Sequence, residues 1–470
     1  MSAKTLKREV DLSQGPIFKR LLAFEIPMVL SGILQLLFNA TDIAVLKMMV
    51  NENAVAAVGA TTSLVSLLIN FFIGLSSGSS VVLARCVGQN DMEKARKVVG
   101  TAISISLISG IFLMVVGYFC SELFLIWMGC PSELLKDATT YMQIYFVGMP
   151  IILFYNFSAS LLRAVGDSMR PLIYLAISGV ANVGLNVLFI AVFNMTVEGV
   201  AIGTVGSQLI CSVLAFIAMK KSTGFSKFEF KRLRVYKKEM SAILKVGVPS
   251  GLQSILFALS NVLISSNINS FGAQTIAGNT GGHQIDGFVY ITGNAIAQAN
   301  MAFVSQNYGA GKVDRIKKSI FITILTACSV QLAVGLLVFG FSRPLTSIFI
   351  ETEAAYQVAR QRLIYLGLLY FLAGAFETLA YAMRALDKSV VSMVITLIFA
   401  CFFRIFWLNT FYLLNKTTTM IYVSYPISWF LSFAVLLIFL IPHIKKIERQ
   451  IDESRLKKAV DVSDDSVDAV

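Results

Sequence analysis

The chain repeats itself at a distance of about 221 residues, and the repeat includes charged loops as well as apolar stretches. Pro27 and Asn39 in the first half have counterparts in Pro249 and Asn261 in the second. Further pairs are Gly88 with Gly309, the charged loop 93–97 with 314–318, Arg163 with Arg384, and Ser168 with Ser389. The chain is therefore expected to fold as two copies of one unit.

Each copy is almost entirely apolar. Hydrophobic residues make up 56% of the chain and the mean hydropathy is +0.74, whereas soluble domains are about 45–50% apolar. Segments of roughly 20 apolar residues can cross a ~30 Å hydrocarbon core, and in lipid they must be helices or a closed barrel. The runs are too long for strands and do not alternate, so we predict helices. The predicted spans are 21–46, 60–84, 98–119, 138–162, 171–193, 199–219, 242–268, 279–304, 319–341, 361–383, 390–413 and 420–442.

The net charge of +12 is unevenly distributed. If the spans alternate, most Lys and Arg residues fall on the side of the N-terminus. The other side carries Lys47, Lys136, Arg343, Arg360, Arg362 and Lys416. This asymmetry predicts a cytoplasmic-membrane protein with both termini in the cytoplasm. Basic loops that hold topology do not require nucleic acid, so no nucleic-acid partner is expected.

The fold class that follows is an all-α integral membrane protein with twelve transmembrane helices in two six-helix bundles. An even number of spans in each half gives both bundles the same orientation, so the repeats are parallel. The predicted organisation is a cytoplasmic lead (1–20), an N-terminal lobe (21–219), a basic cytoplasmic linker (220–241), a C-terminal lobe (242–442) and a cytoplasmic tail (443–470). The acidic end of the tail, DVSDDSVDAV, is expected to be disordered.

Polar residues inside the first lobe are concentrated around one carboxylate. Gln35, Asn39 and Asp42 share one face of the first span. A carboxylate at mid-membrane costs about 2.5–3.5 kcal/mol even on the lenient insertion scale, which indicates a functional role for Asp42. The fifth and sixth spans, together with the second and fourth, add Asn182, Asn186, Thr204, Asn70 and Asn156. Such a set can bind a proton or Na⁺; alternatively, the amides only tie helices together.

The second lobe carries a different set. The eighth span presents one stripe: His283, Asp286, Tyr290 and Asn294. The tenth presents Glu377, Tyr381 and Arg384, and the eleventh carries Arg404 in an apolar run. An unpaired arginine there would be costly, so Arg404 is expected to face Glu377, Asp286 or the aqueous cleft. If Arg404 were permanently paired with one of these two carboxylates, that carboxylate would be structural and the other would be the titratable group. The sequence does not show which of Glu377 and Asp286 is titratable.

The remaining composition bears on substrates and on chemistry. With 35 Phe and 17 Met residues, a cleft could accept bulky organic cations by dispersion and cation–π contacts. The chain has no HExxH, no Walker A sequence and only two histidines. It is therefore not expected to be an enzyme, and transport would be driven by an ion gradient with no cofactor other than the coupling ion.

Several segments together resemble the multidrug and toxic compound extrusion (MATE) family of secondary transporters. They are GPIFKRLLAFEIPMVLSGILQLLFNATD, VGATTSLVSLLINFFIGLSSGSSVVLARCVGQND, LLRAVGDSMRP, VPSGLQSILFALSNVLISSNINSFG and FVSQNYGAGKVDRIKK. The resemblance covers nearly the whole chain. It implies six plus six helices, two lobes around a V-shaped cleft, and export of organic compounds coupled to inward H⁺ or Na⁺.

The resemblance also assigns roles to residues. Asp42 falls on the acidic residue of the family's first helix, and Asn182 and Thr204 fall on its companions in a cation site that could hold Na⁺. Asn186 departs from the pattern, because many relatives carry an acid there. Glu377 falls where one subgroup has a second-lobe carboxylate, and Asp286 matches a position that is usually acidic.

We therefore predict a monomeric, cation-coupled antiporter that exports amphipathic, cationic organic compounds by alternating access. The predicted coupling residues are Asp42, Asn182, Asn186, Thr204, Asp286 and Glu377. The predicted cleft residues are Gln35, Asn39, Asn70, Asn156, His283, Tyr290, Asn294, Tyr381 and Arg404. The alternatives are an exporter dedicated to one metabolite and a flippase for lipid-linked sugars; a membrane enzyme or receptor fits the sequence less well.

Overall fold

The computed structural model describes residues 9–50 and 52–467, which form helices joined by short loops and contain no strand. Parts of the predicted lead (1–8) and tail (468–470) lie outside these residues. The first half, here the N-lobe, contains α1 (Ile17–Met49), α2 (Glu52–Gln89), α3 (Met92–Trp127), α4 (Ser132–Val147), α5 (Met149–Ala164), α6 (Met169–Ala191) and α7 (Val197–Lys221). The second, the C-lobe, contains α8 (Lys237–Asn269), α9 (Ala273–Gly309), α10 (Val313–Gly340), α11 (Ser342–Thr346), α12 (Glu353–Arg362), α13 (Tyr370–Ala385), α14 (Ser389–Thr396), α15 (Phe403–Leu408), α16 (Phe411–Leu414) and α17 (Thr418–Val467).

These helices give the twelve membrane spans that the sequence predicts. Within the described residues, nine helices are long and apolar enough to cross a membrane, the stretch Ser389–Leu414 counting as one. Two bent pairs add one span each: α4 with α5, bent by 51°, and α12 with α13, bent by 41°. The twelfth span is α9, which is 37 residues long but less apolar because it carries the polar stripe of the eighth predicted span. The all-α, twelve-helix fold class is confirmed.

The turns between helices preserve the repeat. Asn90, between α2 and α3, has φ +56°, and Gly311, between α9 and α10, has φ +65°. Gly166, after α5, and Asp387, after α13, are likewise left-handed, with φ +80° and +65°. A left-handed residue at a helix end is favoured for Gly and tolerated by Asn and Asp. Each pair is 221 residues apart, so the two halves reverse direction with the same backbone geometry.

The two lobes meet where backbones approach closely. A Cβ atom added to Gly74 on α2 would lie 2.5 Å from the backbone nitrogen of Gly251 on α8, and one added to Gly78 would lie 2.7 Å from the nitrogen of Gly247. Both pairs of glycines have the small-xxx-small spacing that lets membrane helices pack through their backbones. The lobes are therefore closely packed along α2 and α8.

A second close contact lies at the end of the bundle where α1 begins, here called the basic end. A Cβ on Gly88 would lie 2.0 Å from the carbonyl oxygen of Gln306, and a Cβ on Gly309 would lie 2.3 Å from that of Arg85. The two contacts are related by the repeat, because Gly88 and Arg85 correspond to Gly309 and Gln306. The Arg85 guanidinium also pairs with Asp387 at 2.6 Å. At this end α2 and α9 hold the lobes together.

The N-terminal lead, residues 9–16, reinforces the same end. Its backbone nitrogen at Val10 donates to Val165 of the N-lobe at 3.0 Å. Its nitrogen at Leu12 donates to the side chain of Gln306 of the C-lobe at 2.8 Å. The Glu9 carboxylate accepts hydrogen bonds from three residues of the linker: Ser222, Phe225 and Ser226. The lead thus joins both lobes and the linker.

The end of the chain differs from the prediction. Helix α17 continues to Val467, so most of the stretch expected to be disordered is helical. Ile444 and Ile447 are buried against the C-lobe core and Ile451 packs beside them, which continues the apolar face by one more turn. An ion pair of 2.6 Å between Lys317 and Glu448 adds to the contact. These contacts hold the start of the tail, where a charged helix is expected, and the prediction of disorder from acidic composition is wrong for residues 461–467, which continue the same helix.

Candidate functional site

The N-lobe site is built around Asp42 on α1. Asn186 of α6 donates a hydrogen bond from Nδ2 to Asp42 Oδ1 at 2.7 Å. Asn182, one turn earlier on α6, lies beside the same carboxylate. Both asparagines are buried. The structure therefore brings together three of the predicted coupling residues.

Oxygen atoms around Asp42 are left without hydrogen-bond partners within the described residues. They are Asn182 Oδ1, Asn186 Oδ1 and Thr204 Oγ1, all buried. Thr204 follows Gly203, whose added Cβ would lie 2.1 Å from Asn186 Oδ1, so α7 passes directly over α6 here. An unsatisfied buried polar group costs about 1–3 kcal/mol. Uncharged oxygens and one carboxylate suit a hard cation bound through oxygen, or a proton held by Asp42.

Other predicted residues of the N-lobe do not join this set. Gln35 and Asn39, on α1, are exposed. Asn156 on α5 donates from Nδ2 to the carbonyl oxygen of Ile152 at 3.0 Å, a bond within its own helix. None of the three lines the cavity described next. Asn70 of α2 does line it, on the side where the N-lobe meets the C-lobe.

A cavity of about 400 Å³ lies inside the C-lobe, between α8, α9, α13 and α17. This size falls in the range of ~300–1,000 Å³ that is typical of small-molecule sites. Its wall contains six predicted cleft residues and one predicted coupling carboxylate: Asn70, His283, Tyr290, Asn294, Tyr381, Arg404 and Glu377. The C-lobe stripe predicted from helical spacing is therefore gathered at one place.

Asp286 has a partner that the sequence analysis did not assign to it. Its carboxylate is fully buried and accepts from Arg362 Nε at 2.7 Å. Arg362 also donates to Asn279 Oδ1 at 2.9 Å, and the ring nitrogen of His283 lies 3.3 Å from Asp286. The charge distribution along the sequence assigns Arg362 to a loop, whereas the structure places it, buried, at the end of α12. Asp286 is thus the ion-paired carboxylate of the C-lobe, and its partner is Arg362 instead of Arg404.

Glu377 on α13 is 8% exposed and has no ion pair within the described residues. It accepts a hydrogen bond from Asn294 Nδ2 at 3.0 Å, and the Tyr290 hydroxyl lies beside it. Arg384, two turns further along α13, is its nearest charged neighbour and is held by Gln253 Oε1 at 2.8 Å. Glu377 therefore faces the cavity with neutral hydrogen-bond donors.

Arg404 faces neither carboxylate, so two of its three predicted surroundings are wrong. Its Nε donates to Ser428 Oγ at 2.8 Å, and its guanidinium lies 4.1 Å from the ring centroid of Tyr425. Phe257 and Trp429 lie further out, at 5.6 and 5.9 Å. The side chain lies at the wall of the cavity, which is the third surrounding that the sequence allowed.

Sequence reasoning missed two charged groups. Arg362 could have been found, because the predicted tenth span begins at residue 361 and so includes it. Glu25 on α1 is 2% exposed, and its Oε1 makes no hydrogen bond within the described chain. Its signal was a carboxylate two residues before Pro27, inside the first predicted span.

A duplicated bundle of twelve membrane-spanning helices, with a polar site inside each half, defines a secondary transporter. The MatE family profile matches residues 27–188 and 249–410, and the chain belongs to this family. The protein is thus a multi-pass membrane transporter, as the resemblance of the sequence implied.

Two named relatives and two solved structures are similar to this chain over most of its length. The chain is 28% identical over 390 residues to the probable multidrug resistance protein YpnP of Bacillus subtilis, covering 83% of this chain and 87% of YpnP. It is 27% identical to YoeA of the same organism, covering 79% and 82% of the two chains. Its fold matches an outward-facing multidrug resistance MATE transporter with a TM-score of 0.87 at 21% identity, over 94% of this chain and 99% of the other. The Vibrio cholerae MATE transporter VcmN gives 0.82 at 19% identity, over 92% and 97%.

Proposed function

We propose that this protein is a cation-coupled antiporter that exports amphipathic organic compounds across the cytoplasmic membrane by alternating access. The relatives named as multidrug resistance proteins support the export of such compounds. The basic loops support cytoplasmic termini. The protein works as a monomer in this proposal, with small organic substrates and the bilayer as its partners, no nucleic acid, and no cofactor besides the coupling ion.

The observation that carries the proposal is the Asp42 site. One carboxylate inside the membrane is surrounded by the unpartnered oxygens of Asn182, Asn186 and Thr204. Either a proton on Asp42 or a Na⁺ ion bound by these oxygens removes the uncompensated charge. One charge moving inward across 100 mV supplies about 2.3 kcal/mol, and each pH unit adds about 1.4 kcal/mol for a proton. The site can therefore connect the ion gradient to the position of α1.

Alternating access requires that the ion and the substrate favour different arrangements of the lobes, because a ligand with equal affinity for both shifts nothing. The described arrangement is held closed at the basic end by Gly88, Gly309 and the N-terminal lead. In the proposed cycle, these contacts separate when the cleft opens to the cytoplasm. Cation binding at Asp42 and substrate binding in the C-lobe cavity then act on the same lobe movement.

Two C-lobe carboxylates, Asp286 and Glu377, are predicted to take part in coupling, and we assign that role to Glu377. Arg362 neutralises Asp286, so changing its protonation would leave a buried arginine unpaired. Glu377 can gain or lose a proton while Asn294 and Tyr290 keep it hydrogen-bonded. In this proposal Glu377 contacts the substrate or a second proton, and Asp286 holds α9 to α12.

The test is dye accumulation in inverted membrane vesicles containing the protein, with a proton gradient and a Na⁺ gradient imposed separately. Ethidium and a rhodamine ester serve as dyes. The proposal predicts accumulation with one of the two gradients and none with Asp42→Asn. Accumulation that is independent of both gradients, or unchanged in Asp42→Asn, would contradict it.

The charges of the C-lobe cavity also bear on the alternative function, a flippase for lipid-linked sugars. Its pyrophosphate substrate calls for several free cations in one cleft. In the C-lobe cavity, Arg362 is paired with Asp286, and Arg384 lies beside Glu377. These three arginines and two carboxylates carry a net charge of one positive unit, which fits a single anionic group better than a pyrophosphate, so the exporter is the better-supported function.

A further inference from the structure

The charges of the C-lobe cavity do not balance. Its wall holds three arginines, Arg362, Arg384 and Arg404, and one carboxylate, Glu377. Asp286, behind the wall, neutralises Arg362 at 2.7 Å. Glu377 is the charged neighbour of Arg384. Neither Arg384 nor Arg404 makes an ion pair within the described residues, and Arg404 is the one with no carboxylate beside it.

Arg404 is also incompletely hydrogen-bonded. Its side chain is 1% exposed, and its Nη1 and Nη2 atoms find no acceptor among the residues that the structure describes. Nε is held by Ser428 Oγ, whose own proton is donated to the carbonyl oxygen of Tyr425 at 2.6 Å. This arrangement fixes the plane of the guanidinium and leaves its two terminal nitrogens available. A buried charge with unmet donors is costly, so the site is built for an acceptor.

The local backbone supports a site at this position. The turn before Arg404, Leu397–Phe402, is π-helical, and so is the turn after Arg362, Leu363–Gly367. Turns of this kind are rare and are found frequently at functional sites. Both cavity arginines that do not lie on α13 thus adjoin a π-helical turn.

We propose that Arg404 binds an anionic group of the transported compound, a carboxylate or a singly charged sulfonate or phosphate ester. Two terminal N–H groups match such an acceptor in bidentate geometry. Tyr425, which covers the guanidinium, and Trp429 and Phe257 nearby offer aromatic surface to an attached ring system. A side-chain movement of Tyr425 opens the site, and such movements are common on binding. The substrate class is therefore an aromatic compound with one anionic group.

This inference deepens the proposed export function and rests on it, and it extends the predicted cationic substrates to compounds that also carry an anionic group. A zwitterion satisfies both sets of groups, because its cationic part can lie near Glu377 while its anionic part binds Arg404.

The experiment compares a rhodamine that carries a free benzoate with its methyl ester, two dyes that differ only in the anionic group. Binding is measured by fluorescence polarisation with the full chain in nanodiscs of phosphatidylcholine. We expect the acid to bind at least about tenfold more tightly than the ester, as a bidentate charged hydrogen bond implies. Arg404→Gln should remove this preference by weakening binding of the acid. Equal binding of the two dyes to the unaltered protein, or a preference that survives Arg404→Gln, overturns the proposal.

Arg343→Gln is the matched control, because Arg343 is exposed, pairs with Glu353 and lies outside the cavity wall. It should keep the full preference for the acid. Arg404→Met is the second variant if Arg404→Gln does not fold, since a buried unpaired arginine is often replaced by an apolar residue without loss of stability. It should likewise bind acid and ester equally.

Two further arms separate the remaining possibilities. Phosphatidylglycerol added to the nanodiscs shows whether Arg404 binds lipid headgroups or free organic anions. The lipid displaces the acid dye if the site accepts a lipid headgroup, and it leaves binding of the dye unchanged if the site accepts only a free anion. Either result supports an anion site at Arg404. Gradient-driven accumulation of the ester alone, with no preference for the acid, contradicts the anion site and keeps the export function. Binding that depends on Arg404 without accumulation of either dye contradicts export and keeps the site.

Discussion

The two lobes have the same scaffold and different interiors. In the N-lobe, one carboxylate lies among uncharged oxygens: Asp42 with Asn182, Asn186 and Thr204. In the C-lobe, three arginines and two carboxylates surround a cavity of about 400 Å³. The turns, the glycine contacts and the proline positions repeat, but Asp42 corresponds to the buried apolar Ile264 and Glu377 to Asn156. The two halves therefore share how their helices pack and differ in their polar interior, and in our proposal one half binds a small cation and the other a larger organic molecule.

The largest expected effect comes from the N-lobe carboxylate. Asp42→Asn should reduce gradient-driven dye accumulation to the level of passive leak, because about 2.3 kcal/mol per 100 mV of driving force can no longer be coupled. Dye binding in the C-lobe cavity should persist, and vesicle accumulation measured beside nanodisc binding checks both. Thr41→Val, one residue away on α1, is the control and should transport normally. If Asp42→Asn abolished dye binding as well as transport, ion coupling and dye binding would not belong to separate lobes.

The next largest effect distinguishes the two C-lobe carboxylates. Asp286→Asn leaves Arg362 buried and unpaired, which should cost about 3–5 kcal/mol of stability. Glu377→Gln keeps neutral partners and should cost about 1 kcal/mol. Thermal unfolding in detergent measures both, and the double variant Asp286→Asn with Arg362→Met should recover most of the loss. Similar unfolding temperatures for the two single variants would show that Asp286 is not the structural one.

A third test concerns the shared scaffold. Gly88→Ala and Gly309→Ala each place a methyl group against a carbonyl oxygen of the other lobe, so both should destabilise the closed arrangement by about 1–3 kcal/mol. Gly59→Ala, on α2 with open space around it, should be neutral or stabilising by up to about 1 kcal/mol. Thermal unfolding of the three variants is the measurement. A large difference between Gly88→Ala and Gly309→Ala would show that the duplication no longer holds at the basic end.

The smallest effect is expected from the lead. Glu9→Gln weakens its charged hydrogen bonds to Ser222, Phe225 and Ser226 and should cost about 1 kcal/mol. Hydrogen exchange should speed up at Val10 and Leu12 more than elsewhere. Glu353→Gln breaks an exposed ion pair with Arg343 worth no more than about 1 kcal/mol and should leave exchange of the lead unchanged. Unchanged exchange in Glu9→Gln would mean that the lead is held by the lobes alone.

The sequence predicted most of the fold because the governing signals are local or periodic. The length of the apolar runs predicted the membrane spans, and the internal repeat predicted two parallel bundles. Helical spacing placed His283, Tyr290 and Asn294 on one wall. The polar residues of the fifth and sixth spans were read from the sequence, and the family resemblance grouped Asn182 and Thr204 with Asp42. The described contacts add Asn186, which lies within hydrogen-bond distance of Asp42.

The rest depends on tertiary contacts that no local pattern encodes. The π-helical turns beside Arg362 and Arg404 change which side of the helix each arginine occupies, so spacing counted at 3.6 residues per turn fails there. The partner of Asp286 was missed because Arg362 was assigned to a loop, and the sequence left open whether Arg404 faces a carboxylate or the cleft. The helix at residues 461–467 was missed because its acidic composition was taken as a sign of disorder.

The docking of the lead has a consequence for biosynthesis. Leu12 and its acceptor Gln306 are 294 residues apart in the chain. At about 5–20 residues per second, the ribosome reaches Gln306 about 15–60 s after it has made Leu12. Throughout that interval the lead lacks its hydrogen bond to the C-lobe. The segment made first is thus among the last to be fixed, and its docking marks a chain whose second lobe has been inserted.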